Sequence, residues 1–123
     1  MLGVTLFGSL IVLWATSSLW YWTSESNAYS GSEAVSATVA IQNADGLPGA
    51  FKPAVVTVKK GSVIQWTTAP DARVHTVSGD GFDSGAKGLA GGEAFKFKFA
   101  KAGTFEYHCS FHPVMKATVV VTE

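Results

Sequence analysis

The sequence predicts an all-β fold: a Greek-key two-sheet β-sandwich, preceded by one N-terminal transmembrane helix. Three observations point there. Residues 1–24 carry no charged side chain, and the apolar run "LGVTLFGSLIVLWATSSLWYW" is 21 residues long. From residue 34 onward the hydropathic period is two, the period of strands, and no stretch holds a helical period for two turns. Gly46, Pro48, Gly49, Gly61, Pro70 and Gly103 punctuate short β-branched runs, as turns between strands require.

Composition sets the bounds. The chain has 123 residues, room for one domain. Nine basic and nine acidic residues cancel, which argues against a nucleic-acid partner. Their placement is uneven: every Lys and Arg lies at or after Lys52, so residues 51–123 hold nine cations against six acids. That small excess biases a docking face. A single cysteine excludes an intrachain disulfide, and in an exported chain a lone Cys is a liability or a ligand.

Residues 1–22 read as a membrane anchor. At helical rise the apolar run spans roughly 30 Å, the thickness of a bilayer's hydrocarbon core. Trp20, Tyr21 and Trp22 cluster at its far end, where aromatic rings suit the headgroup level. A cleaved signal is the competing reading, since Ala15 to Ser18 are small. No basic residue precedes them and the apolar run resumes at Leu19, which favours an uncleaved anchor. With no flanking cations the positive-inside rule is silent. The aromatic end places the remaining chain outside the cytoplasm. Residues 23–33, "TSESNAYSGSE", are Ser-rich and read as a flexible tether with a reach of roughly 18 Å.

The domain proper spans residues 34–123. Strand signals follow in order: "AVSATVAI", "AVVTV", "SVIQW", "FKFKF", "TFEYHC" and "TVVVT". In "FKFKF", Phe95, Phe97 and Phe99 share one face and Lys96 and Lys98 the other. About seven strands in some ninety residues suit a sandwich. The loop "GDGFDSGAKGLAGG", residues 79–92, holds six glycines. Asp80 and Asp83 miss the calcium-loop spacing, because Phe82 and Ser84 occupy positions that need oxygen ligands. A turn-rich loop pinned by Phe82 is the plainer expectation.

The candidate chemistry lies at "CSFHPVM", residues 109–115. Strand parity puts Phe105, Tyr107 and Cys109 inward and His108 outward, so His108 reads as a surface histidine. His112 and Met115 follow on the turn after Cys109, which Pro113 stiffens. The other histidine, His75, sits in the strand-like "VHTV", 34 residues upstream of Cys109. Singly, a buried Cys is usually a small hydrophobe, a lone His a surface or hydrogen-bonded residue, and a Met core filler. Together, His75, Cys109, His112 and Met115 are two imidazoles, one thiolate and one thioether. Soft sulfur with imidazole nitrogen favours copper, and two His and one Cys with a weak axial Met describe a blue-copper electron-transfer site.

From Phe51 to Val121 the chain resembles the cupredoxins, the small blue-copper proteins, through "FKPAVVTVKKGSVIQW", "VHTV", "GFDSG" and "GTFEYHCSFHPVMKATVVV". The short Cys-x-x-His-x-x-Met loop is most similar to amicyanin-type members. The resemblance implies that His75, Cys109, His112 and Met115 hold one copper ion cycling between Cu(I) and Cu(II). It also implies that the edge of His112 reaches the surface through an apolar patch. The expected patch is Pro113, Val114, Phe51, Pro53 and Leu89, rimmed by Lys52, Lys87 and Lys116. Thr76 stands where many members have Asn, which leaves open the contact that ties the two ligand segments together.

Four functions compete. The first is a monomeric, membrane-tethered electron carrier on the extracytoplasmic face, periplasmic or extracellular, serving redox protein partners that dock near His112. The second is a copper storage or delivery protein. A structural zinc domain would want another thiolate or hard ligand in place of a thioether. An enzyme would want an open metal position or a second His cluster, so no catalytic activity is expected.

Overall fold

The computed structural model describes residues 26–123; the predicted membrane helix, residues 1–22, lies outside them. Among the described residues no helix is long and apolar enough to cross a membrane. They form nine strands: β1 (Ala37–Ala44), β2 (Leu47–Lys52), β3 (Val55–Lys59), β4 (Ser62–Thr68), β5 (Ser78–Gly79), β6 (Phe82–Asp83), β7 (Ala94–Phe99), β8 (Gly103–Cys109) and β9 (His112–Thr122). β2, β5 and β6 go beyond the strand signals of the sequence, and the strand expected at "VHTV" does not form; β5 and β6, two residues each, pair as a hairpin at the start of the Gly-rich loop.

Two sheets face each other, with orders β2-β1-β4-β7 and β3-β9-β8-β5-β6. Most pairs are antiparallel, but β1 runs parallel to β4 and β3 parallel to β9. The chain therefore crosses between sheets instead of meandering within one. Alternation fixes the facing: Phe95 and Phe99 of β7 are buried, Phe97 packs against the core from the rim, and Lys96 and Lys98 are half-exposed.

Aromatic rings fill the space between the sheets. Trp66 lies 5.5 Å from Phe95, 5.9 Å from Phe82 and 5.6 Å from Tyr107, the last edge-on at 86°. Phe51 meets Tyr107 edge-on at 4.8 Å. Such contacts are favourable beyond the apolar area they bury. Truncating Trp66 to Ala would cost about 3–5 kcal/mol. This rigid block ends at Cys109, which is wholly buried two residues after Tyr107 on β8.

The stretch read as a free tether is bound to the sandwich over its described part. Asn27 N–H donates to Asp83 O at 3.1 Å on β6, and Tyr29 N–H donates to Lys96 O at 2.6 Å on β7. Since β6 and β7 are the edge strands of the two sheets, residues 26–33 strap the open side of the sandwich. Glu33 Oε1 accepts from Lys98 Nζ at 2.6 Å and from the Tyr29 hydroxyl at 2.8 Å. The strap thus supplies partners to strand edges that would otherwise stand open.

Candidate metal centre

Three of the four predicted donors converge at one end of the sandwich. Donor atoms of His75, Cys109 and His112 all lie within 4.8 Å of one another. Cys109 Sγ is 3.7 Å from His75 Nδ1 and 3.6 Å from His112 Nδ1. The rings of His75 and His112 sit 5.0 Å apart, tilted by 59°.

The hairpin between β8 and β9 brings Cys109 and His112 together. Its ladder runs Tyr107↔Ala117 and His108↔Lys116, then shifts at a bulge so that Cys109 pairs with His112. His112 and Met115 therefore stand on β9 itself, not on a turn preceding it, because the hairpin closes over Ser110 and Phe111 alone. Met115 shares the buried face of Ala117, Val119 and Val121. Met115 and Cys109 belong to the same buried cluster. His108 is exposed, as parity required.

His75 departs from expectation: it lies on no strand. It is held by an isolated bridge, with His75 N–H donating to Leu89 O at 3.2 Å and Leu89 N–H to His75 O at 2.7 Å. Its partner thus comes from the Gly-rich loop. The ring is fully buried and packs on Gly49, where a Cβ would fall 2.8 Å from both Cε1 and Nε2. Only glycine leaves the ring in place. Gly49 also lines a shallow cleft with Met115, Phe51 and Val114. Burial holds the His75 imidazole below its usual pKa, and His112 and Arg73 push the same way. These effects disfavour the imidazolium relative to the neutral ring, the form that ligates metals.

Thr76 ties the two ligand segments together. Its Oγ1 accepts from Ser110 N–H at 2.7 Å and lies 2.9 Å from Ser110 Oγ and 3.0 Å from Ser78 Oγ. Its own N–H donates to Cys109 Sγ at 3.3 Å. A hydroxyl thus does the joining where the resemblance anticipated an amide.

The surface around His112 differs from the expected patch. Phe51 and Leu89 are buried in the core. Pro53, Pro113 and Val114 of that patch are exposed, and among the described residues the large exposed apolar side chains are Val114 (71%), Leu47 (59%), Val55 (59%), Phe111 (47%) and Val74 (42%). Phe111 and Val74 meet over Gly88, whose Cβ would lie 3.0 Å from Phe111 Cε2 and 2.7 Å from Val74 Cγ1. Sequence reasoning passed over Gly49, Phe111 and Val74. The only signal was adjacency, since Phe111 and Val74 each immediately precede a ligand histidine.

The donor set fits a single metal ion. An ion about 2.0 Å from nitrogen and 2.3 Å from sulfur, at an angle near 120°, separates those atoms by about 3.7 Å. The observed separations are 3.7 and 3.6 Å. Two imidazoles and one thiolate, with the buried Met115 thioether following on the same hairpin, are a soft donor set that suits copper better than zinc.

Fold and site together define a two-sheet sandwich with a His-Cys-His centre at one end. The chain belongs to the Cupredoxin-like domain family, whose profile matches residues 10–121. It is 37% identical over 75 residues to Amicyanin-alpha of Methylorubrum extorquens, a match covering 58% of this chain and 63% of that protein. The chain thus spans less than two thirds of that curated relative. Among solved structures it is similar to a purple cupredoxin from Nitrosopumilus maritimus, with TM-score 0.60 and 25% identity, over 70% of this chain and 99% of that one. It is also similar to a reduced Cu(I) form of an amicyanin variant, with TM-score 0.56 and 29% identity, over 75% of this chain and 85% of that one.

Proposed function

We propose that this domain is a blue-copper electron carrier, tethered to a membrane by residues 1–22 and working as a monomer outside the cytoplasm. The observation that carries the reading is the pair of sulfur-to-nitrogen separations, 3.6 and 3.7 Å, which would let His75, Cys109 and His112 hold one ion. The amicyanin relatives, one of them solved as a Cu(I) form, support it. Bound copper supplies a one-electron couple between Cu(I) and Cu(II).

The residues divide the work. Cys109 gives the thiolate, and the Thr76 amide donating to its sulfur stabilises that charge. His75, fully buried, would hold the ion from the protein interior and exclude water. Met115 would supply a weak, soft thioether donor from the buried face of β9. His112 is half-buried, so its outer edge is the path by which electrons enter and leave. Four protein donors fill the site, which suits a carrier better than a catalyst.

Val114, Phe111 and Val74 give the partner an apolar landing around His112. Lys52, Arg73, Lys87 and Lys116 are exposed on the same segments. The partner is therefore a redox protein with an acidic rim, and association slows as salt rises.

Copper delivery is separated from electron transfer by one mixing experiment. The reduced, copper-loaded protein is mixed with an inorganic one-electron oxidant, and separately with a Cu(I) chelator. Fast oxidation with copper retained supports the carrier. Transfer of copper to the chelator before oxidation overturns it in favour of delivery.

A further inference from the structure

We propose that Asn27, in the strap, is a positioning residue for His75, acting through the loop from Asp83 to Leu89. The inference rests on the reading of His75 as a metal ligand. Three polar groups of Asn27 are engaged. Its N–H donates to Asp83 O at 3.1 Å, its Oδ1 accepts from Asp83 N–H at 2.9 Å, and its Nδ2 donates to Gly81 O at 3.0 Å. It therefore clamps both backbone groups of Asp83, as a neighbouring strand would.

From Asp83 the contacts run without a break to His75. The Asp83 carboxylate accepts from Gly85 N–H at 2.7 Å. Gly85 also sits against the strap, where a Cβ would lie 3.3 Å from Ser26 N. Gly85 O accepts from Gly88 N–H at 3.1 Å. Both glycines are left-handed, with φ of +102° and +79°, so the loop's path depends on them. A Cβ on Gly88 would fall 3.0 Å from His75 O, and the next residue, Leu89, exchanges two hydrogen bonds with His75.

A second fixing point prevents the loop from absorbing a displacement. Ser84 Oγ accepts from Val77 N–H at 2.8 Å, and Ser84 N–H donates to Val77 O at 2.9 Å. The loop is thereby bound on both sides of the His75 segment. His75 depends on this support. It belongs to no strand, and its buried Nε2 has no hydrogen-bond partner. Its position is set by Leu89 on one side, Gly49 on the other and the anchoring of its neighbour Thr76 to Cys109 and Ser110. The strap thus reaches the metal centre through packed backbone, a physical coupling between two parts of the chain.

The test uses the full chain and the variant Asn27→Ala. In the metal-free protein, amide exchange is followed at His75, Gly88 and Leu89, with Val119 of the far sheet as the reference. Losing the two side-chain hydrogen bonds should speed exchange at the three site amides about tenfold and leave Val119 little changed. The copper-loaded variant should also show a shifted visible band and midpoint potential against the wild type. Unchanged exchange at Leu89 and His75, or acceleration only in step with Val119, overturns the proposal. The exchange measurement needs no metal, so wild-type protein that fails to take copper would contradict the metal reading alone.

Discussion

The Thr76 hydroxyl accepts the Ser110 amide proton at 2.7 Å while the Thr76 amide donates to Cys109 Sγ at 3.3 Å. One residue therefore holds the segment carrying His75 against the hairpin carrying Cys109 and His112. Thr76 is fully buried, so neither bond is open to exchange with solvent. Thr76→Val keeps the shape and removes the hydroxyl. The Ser110 amide then loses its acceptor, at a cost of about 1–3 kcal/mol. Urea unfolding of metal-free wild type and variant measures this, and equal midpoints would deny Thr76 that role.

Gly49 is expected to tolerate no side chain. In Gly49→Ala the new Cβ would start 2.8 Å from Cε1 and Nε2 of His75, and Gln42 O closes the other side at 3.2 Å. The ring must move, so the variant should bind copper more weakly and with an altered visible spectrum. A Gly49→Ala protein that matches the wild type in both would show that the ring has room to shift.

Met115 should tune the centre without abolishing it. Met115→Gln places a harder oxygen donor on the axis, favours Cu(II), and lowers the reduction potential. Met115→Leu removes the donor and raises it. Voltammetry of the three proteins decides, and a potential indifferent to both changes would make Met115 core filler.

The strap should depend on pH through Glu33. Lys98 and the Tyr29 hydroxyl, both hydrogen-bonded to its carboxylate, hold the Glu33 pKa below the ordinary range. A depressed carboxylate contributes stability that is complete above its unfolded pKa, about 4.3, and is lost as pH falls through the lowered value. Lys98 is raised by the same Glu33 contact, so its share is complete below the ordinary amine range and lost as pH rises through the raised value. The strap should stay bound through neutral pH and loosen in acid. The protection factor of the Tyr29 amide, which donates to Lys96 O, reports this. Equal acid sensitivity in Glu33→Gln would remove Glu33 from the explanation.

Much of the site was legible because its signals are local. Parity along "TFEYHC" turned Tyr107 and Cys109 inward and His108 outward, since one strand carries all three. Cys109 and His112 pair within one hairpin and Met115 follows on the same strand, so spacing alone carried that part. What escaped depends on contacts between distant residues. His75 looks like a strand residue, but its bridge is to Leu89, inside a loop with no regular period. The strap's Ser-rich composition reads as flexible, yet Asn27 bonds to Asp83, 56 residues away. Phe51 and Leu89 are buried because Tyr107 and the His75 bridge cover them, which a linear pattern does not encode.

The most direct test of the copper centre is visible absorption during titration of the metal-free protein with Cu(II). We expect an intense thiolate-to-copper band that saturates at one ion per chain and is missing in Cys109→Ser. No such band in the wild type, or the same band in Cys109→Ser, would contradict a copper centre built on Cys109, His75 and His112.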